Sequence, residues 1–204
     1  MKRYAFIDVL NTENSAEQML GFSINWRRLA DYLMNKRSCS EVSFYTGIDN
    51  GDVETANEFE SLKNDGYTVK SKPIFAYKNK DKKISKRCVR CKEENVFIVD
   101  MGYKKKSNCD VELSIDAIEK SAPGVELMLF TGDGDFEYLI IKALEKGVER
   151  VYIFSYSGKD SKAGITISRF STKLRNLIAV DTKRVFYTSL LDIKHAIKKE
   201  LPTT

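Results

Sequence analysis

The chain has 204 residues, 42% hydrophobic and 31% charged, a balance that excludes a disordered or fibrous protein and supplies enough apolar material for a full core. Its 34 basic and 29 acidic residues give a net charge of +5, so the placement of charge carries more information than the sum. No apolar run approaches the roughly 20 residues that span a bilayer. The opening MKRYAFIDVLNTENS turns polar too early for a secretory signal, so a cytoplasmic location without membrane partners is expected.

In chain order, YAFIDVL (residues 4–10) is a short apolar run suited to a buried strand, and NTENS is a polar break. A helix is predicted over residues 16–35, with Leu20, Ile24, Trp26, Leu29 and Leu33 on its apolar side. EVSFYTG reads as a second strand, DVETANEFESLKNDG as a helix stopped by Gly66, and YTVKSKPIFAY as a third strand that Pro73 places at an edge or bend. NVFIVDMGY is a further strand-like run. SNCDVELSIDAIEK then reads as a helix on which Val111, Ile115 and Ile118 recur at i, i+4 and i+7. VELMLFTG, DFEYLIIKALEKG, ERVYIFSYS, a segment near residues 165–179, KRVFYTS and the helical LLDIKHAIKKE continue the alternation. Such alternation predicts an α/β fold: a three-layer α/β/α sandwich, Rossmann-like, around a mostly parallel sheet. With no repeat and no Pro/Ser-rich linker, residues 1–204 read as a single domain carrying a basic insertion or β-hairpin near residues 78–95.

That insertion, YKNKDKKISKRCVRCK, holds Lys78, Lys80, Lys82, Lys83, Lys86, Arg87, Arg90 and Lys92 against the single acid Asp81. A local excess of this size suits a nucleic-acid backbone; the alternative is a solvated basic loop. Phe75, Tyr77 and Tyr103 flank the basic stretches, as core or rim of the sheet or as platforms for unpaired bases. Cys88 and Cys91 have the C-x-x-C spacing of half a zinc site. Completing a Zn²⁺ site needs Cys109 brought in by folding, or a second chain sharing the ion in a homodimer. Otherwise the pair reads as reduced thiols.

In open α/β sheets ligands collect beyond the carboxyl ends of the strands. Asp8, with Asn11 after it, ends the first strand. Asp133 and Asp135 follow VELMLF, and Asp110 opens the helix after NVFIVDMGY. Four carboxylates gathered there fit Mg²⁺ or Mn²⁺, hard cations that prefer oxygen ligands and keep waters for exchange with phosphate. Helix caps are the competing explanation: Asp133 or Asp135 for the helix beginning at Phe136, and a capping box from Ser107 to Asp110. Asp8, at the end of an apolar strand, has no predicted cap to make.

These stretches resemble the NYN domain, a branch of the PIN-like nuclease superfamily. FIDVLN is similar to its first-strand Asp-Gly-x-Asn motif, KKKSNCDVELSIDAI to its Lys-Gly-x-Asp-Val-x-Leu-x-x-Asp-x-Leu segment, and LFTGDGDFEYLI to its Ser-Gly-Asp-Ser-Asp-Phe turn. The three occur in family order over residues 4–154. The resemblance implies a metal-dependent ribonuclease of the endonuclease type, with Asp8, Asp110, Asp133 and Asp135 as catalytic and metal-binding acids and Mg²⁺ or Mn²⁺ as cofactor. Asn11 would position a carboxylate or phosphate, and Thr131 stands where the family has serine. Asp116 matches the helix motif's second aspartate but lies about 240° around the helix from Asp110. Lys104, Lys105 and Lys106, with Lys86, Arg87 and Arg90, are candidate RNA contacts. Val9 and Leu10 depart from the small residues usual after the first aspartate, and the C-x-x-C segment lies outside the core pattern.

An RNA- or nucleotide-binding module on the same fold, without cleavage, is the alternative. A phosphatase using an aspartyl-phosphate lacks its Asp-x-Asp-x-Thr strand, since the chain reads Asp8-Val9-Leu10. Dinucleotide binding fails on glycine spacing in GDGDFE.

Overall fold

The computed structural model describes residues 1–106, 109–162 and 165–200. Its elements are β1 (Lys2–Asp8), α1 (Val9–Leu20), α2 (Trp26–Asn35), β2 (Glu41–Ile48), α3 (Val53–Asn64), β3 (Thr68–Pro73), β4 (Phe75–Lys78), β5 (Lys82–Arg87), β6 (Glu94–Val99) and β7 (Tyr103–Lys106). They continue with α4 (Asp110–Lys120), β8 (Val125–Phe130), α5 (Glu137–Glu145), β9 (Arg150–Ser155), β10 (Lys159–Lys162), β11 (Ile165–Ser168), α6 (Thr172–Val180), β12 (Val185–Ser189) and α7 (Lys194–Ile197).

Among the described residues the central sheet has six strands in the order β12-β9-β8-β1-β2-β3, every pair parallel. Strands buried on both faces favour near-continuous apolar runs, and VELMLF, apolar but for Glu126, is buried throughout. Along β1 the side chains alternate between the two cores. Ala5 and Ile7 pack with Leu29, Leu33 and Phe59 of α2 and α3, and Phe6 packs with Leu113, Ile140 and Leu174 of α4, α5 and α6. The result is the expected α/β/α sandwich. From β1 the chain moves outward through β2 and β3, then returns to place β8, β9 and β12 on the other side. The order therefore reverses between β1 and β8.

Several expectations change. The first strand stops at Asp8 and NTENS is helical, because Asp8 caps α1 by accepting from the Asn11 N–H at 3.3 Å. Gly21, at φ 67°, ends α1, and Asn25 caps α2, so the helix predicted over residues 16–35 is two helices. Pro73 ends β3, and β4 leaves the sheet. NVFIVDMGY lies outside the central sheet: its residues divide between β6, paired antiparallel with β5, and β7, paired antiparallel with β4. The two ribbons are joined where the Asn79 N–H donates to the Gly102 carbonyl at 2.9 Å, forming one arm. On α4 the buried positions are Leu113 and Ala117, whereas Val111 and Ile115 are 64% and 53% exposed. Of the three residues the apolar spacing selected, only Ile118 packs against the core. The final helix shortens to α7, preceded by turns.

Candidate active site

Asp8 stands at the carboxyl end of β1, beside the reversal of strand order, and is half-buried. Its carboxylate accepts from the Asn11 N–H and, at 3.2 Å, from the Thr131 hydroxyl. The Thr12 hydroxyl, at 2.6 Å from the Asp8 carbonyl and 3.0 Å from the Phe130 carbonyl, ties β1 to β8 directly beneath the site. Burial, then the charge of Asp110, and to a smaller degree that of Asp133, push Asp8 up to about 7, against the two hydrogen bonds. Three of the four predicted acids thus share one electrostatic field.

Asp133 and Asp135 occupy the turn between β8 and α5. Asp133 caps a single 3-10 turn, Gly134–Phe136, by accepting from the Asp135 N–H at 3.0 Å, while its own N–H donates to Thr131 Oγ1 at 3.1 Å. Thr131 is therefore a relay between two candidate acids. Asn11 Oδ1 accepts from the Gly132 N–H at 2.7 Å and fixes α1 to this turn. A Cβ on Gly132 would fall on the Arg169 carbonyl, and one on Gly134 would fall on Ser171 Oγ. The glycines are required by close approach of the segment before α6, not by backbone conformation.

Asp110 is the first residue of α4, opening that helix as expected, but the run before it belongs to the arm and not to the central sheet. With Asp8, Leu10, Tyr45, Thr46, Gly47, Cys109 and Leu113 it lines a cleft of about 30 Å³. Cys109 supplies no side-chain cap to α4, and the proposed capping box involves Ser107 and Asn108, which lie outside the described residues. Asp116 points away from the acids. It accepts from the Tyr45 hydroxyl at 2.6 Å and pairs with Lys70 Nζ at 2.8 Å, while Glu112, one turn earlier, pairs with Lys72 at 2.7 Å. These contacts hold α4 against β2 and β3, and so set the position of Asp110.

One open trough adjoins the acids and a second lies further out on the same molecule. One, of about 330 Å³, runs past Asn11, Asp133 and Asp135 to Arg169, Ser171 and Lys173. The other, of about 710 Å³, runs beyond β2 and β3 past Asp49, Asp52 and Lys72 to Phe75. The cations Arg169, Lys173 and Lys72 were not singled out from sequence. Arg169 and Lys173 fall in an unremarkable polar segment, and only the i, i+4 spacing of Glu112 and Asp116 hinted at basic partners on the neighbouring strand.

The candidate nucleic-acid contacts lie on the arm. Lys86 and Arg87 end β5, and Arg90 sits in its turn, all without burial in the core. Lys104, Lys105 and Lys106 fall on β7, and their side chains lie outside the described residues. Phe75, Tyr77 and Tyr103 are 58%, 58% and 68% exposed, so they belong to neither core nor sheet rim. Cys109 does not join Cys88 and Cys91: it is buried, its thiol 3.4 Å from the Thr46 carbonyl. N–H bonds from Cys91 and Arg90 hold the Cys88 thiol below its ordinary range.

Among the described residues no three His, Cys, Asp or Glu side chains form a ready-made metal cage. The donors at Asp8, Asp110, Asp133 and Asp135 are nevertheless hard oxygens of one sign, and Asp110 and Asp133 press on Asp8 with a repulsion that a cation would relieve. They fit an ion of the Mg²⁺ kind, which takes one or two carboxylates and keeps its waters. No described helix is long and apolar enough to cross a membrane.

A protein from Synechococcus elongatus, low amplitude and bright protein LabA, is 29% identical over 128 residues, covering 61% of this chain and 59% of that protein's own length. A solved structure of a protein of unknown function from Vibrio parahaemolyticus superposes with a TM-score of 0.59 over 93% of this chain and 92% of the other at 19% identity, a likeness of fold. The profile of the NYN domain matches residues 3–171, the span that contains all four acids, the arm and the turn between β8 and α5. The chain belongs to the NYN domain family of PIN-like nucleases.

Proposed function

We propose that the protein is a metal-dependent ribonuclease that hydrolyses internal phosphodiester bonds of RNA, with residues 1–204 acting as one domain and the arm as an insertion. The observation that carries this reading is the field shared by Asp8, Asp110 and Asp133 on either side of the strand-order reversal, which pushes Asp8 up to about 7. Bound Mg²⁺ or Mn²⁺ would supply a polarised water and neutralise charge on the phosphate. Asp8 and Asp110, from β1 and α4, would hold the cation from one side and Asp133 and Asp135 from the other. Thr131 and Asn11 keep Asp8 and the β8 turn in fixed relation through their hydrogen bonds. Arg169 and Lys173, on the trough beside Asp133 and Asp135, offer cations to the flanking phosphates. The exposed Phe75 and Tyr77 offer faces for unpaired bases, which favours single-stranded RNA.

Cleavage of labelled single-stranded and structured RNAs, with Mn²⁺ or Mg²⁺ and with EDTA, tests the proposal. Wild type cuts only with the cation, and Asp133→Asn loses at least about 100-fold in rate while staying folded. Equal cutting by Asp133→Asn would overturn the assignment. The exposed aromatics and cations of the arm, which can bind without cutting, support a second reading, an RNA-binding module that does not cut. Metal-independent RNA binding by a folded protein without cleavage would select it.

A further inference from the structure

The C-x-x-C segment has no part in the chemistry above, yet it is built as half of something. Cys88, at the end of β5, and Cys91 lie in the tight turn that closes the β5–β6 hairpin. The Lys92 N–H donates to the Cys88 carbonyl at 3.0 Å, the Cys88 N–H donates to the Glu93 carbonyl at 2.8 Å, and Lys92 takes a left-handed φ of 65°. That turn folds the two sulfurs together: Cys88 receives N–H bonds from Arg90 and Cys91 and contacts the Cys91 thiol. Oriented N–H groups around paired sulfurs prepare thiolates for a soft tetrahedral ion. Two sulfurs are half of a tetrahedral set. Among the described residues no other His, Cys, Asp or Glu joins them, and the eight residues outside that set (107, 108, 163, 164 and 201–204) include none of these types.

A second, independent feature lies on the same hairpin. Every position of β5 and β6 is exposed, and the large apolar residues are not scattered. Ile84 pairs directly with Phe97, and Val99 lies two residues along on the same face, at 42%, 56% and 39% exposure. Val89, at the tip beside the cysteines, is 86% exposed. An apolar strip leading to a half-complete metal site marks a surface that is covered when the site is complete.

We propose that two copies of this chain join at their arm tips, each giving Cys88 and Cys91 to one shared tetrahedral Zn²⁺, with the Ile84, Phe97 and Val99 strips packed across a two-fold axis. A second copy is the occupant because it brings the missing ligands in matching number and type, and an isologous contact presents the same strip to itself. The arm leaves the sheet after β3, so this joint lies outside both cores and independent of the acids.

The test uses the intact chain purified under reducing conditions with zinc supplied, measuring bound metal by mass spectrometry and molecular mass by light scattering. One zinc per two chains in a dimer is expected, with loss of both metal and half the mass on chelation. Cys88→Ser lacks zinc and runs as a monomer with an unchanged helix and sheet signature. Cys91→His, which restores a nitrogen ligand, keeps metal and dimer. One zinc per chain on a monomer, a monomer without zinc, or a dimer that persists in Cys88→Ser would each overturn the proposal.

Discussion

The acid at the end of β1 and the glycine after Thr131 state the cost of holding this site together. Asp8 sits at about 7 in the folded chain against 3.8 unfolded, and Glu13, raised by burial and by Glu17, also sits at about 7 against 4.5. Below about pH 4 both groups are protonated in both states and contribute nothing. Between about 4 and 7 the unfolded chain releases protons that the folded chain keeps, so stability falls as pH rises, and above 7 the loss is complete. Asp8→Asn is therefore expected to melt higher than wild type at pH 8, by about 2–4 kcal/mol, and to match it near pH 4; melts without divalent cation check this. Gly132→Ala is expected to cost about 1–3 kcal/mol, because the new Cβ meets the Arg169 backbone, and chemical unfolding measures it. Asp8, Asp110, Asp133 and Asp135 were legible as residues because their types and motifs announce them. Arg169 and Lys173 were not, since a cation gains meaning here only when folding sets α6 beside the β8 turn.

At the scale of elements, hydrophobic patterning succeeded wherever both faces of a strand are buried, as in β1, β2 and β8. On β6 it found the strand but not its place, since Val96, Phe97, Ile98 and Val99 are exposed on the arm and not part of the central sheet. Periodicity reports apolar surface, and it cannot report whether this chain or another covers it. On α4 the same blindness selected Val111 and Ile115 over Leu113 and Ala117. Lys86 and Arg87 at the end of β5 and Arg90 in its turn are the arm's proposed RNA contacts. Replacing Lys86, Arg87 and Arg90 together by alanine is expected to weaken RNA binding at all sequences and to flatten its salt dependence by up to about 2 in slope. Titrations of the Asp133→Asn protein over a range of salt concentrations would show it, and an unchanged slope would remove the arm from the RNA path.

Across the whole molecule the two ends of the sheet carry different charge logic. Opposite the acids, at the amino ends of the strands, Glu126 of β8 is fully buried between Arg3 of β1 at 2.6 Å and Arg150 of β9 at 3.4 Å. Both arginines are partly solvated, so Glu126→Ala is expected to cost about 2 kcal/mol, less than a wholly buried pair. Denaturant unfolding reads that cost, and cleavage per folded molecule should be unchanged. The strand order has a further consequence for synthesis. β1 must wait with one edge unpaired while α1 to β3, the whole arm and α4 emerge, because its other neighbour, β8, begins at Val125. Asp133 and Asp135 follow later still. A growing chain carries no complete set of the candidate acids until residue 135 has been added, after β8 has covered the open edge of β1.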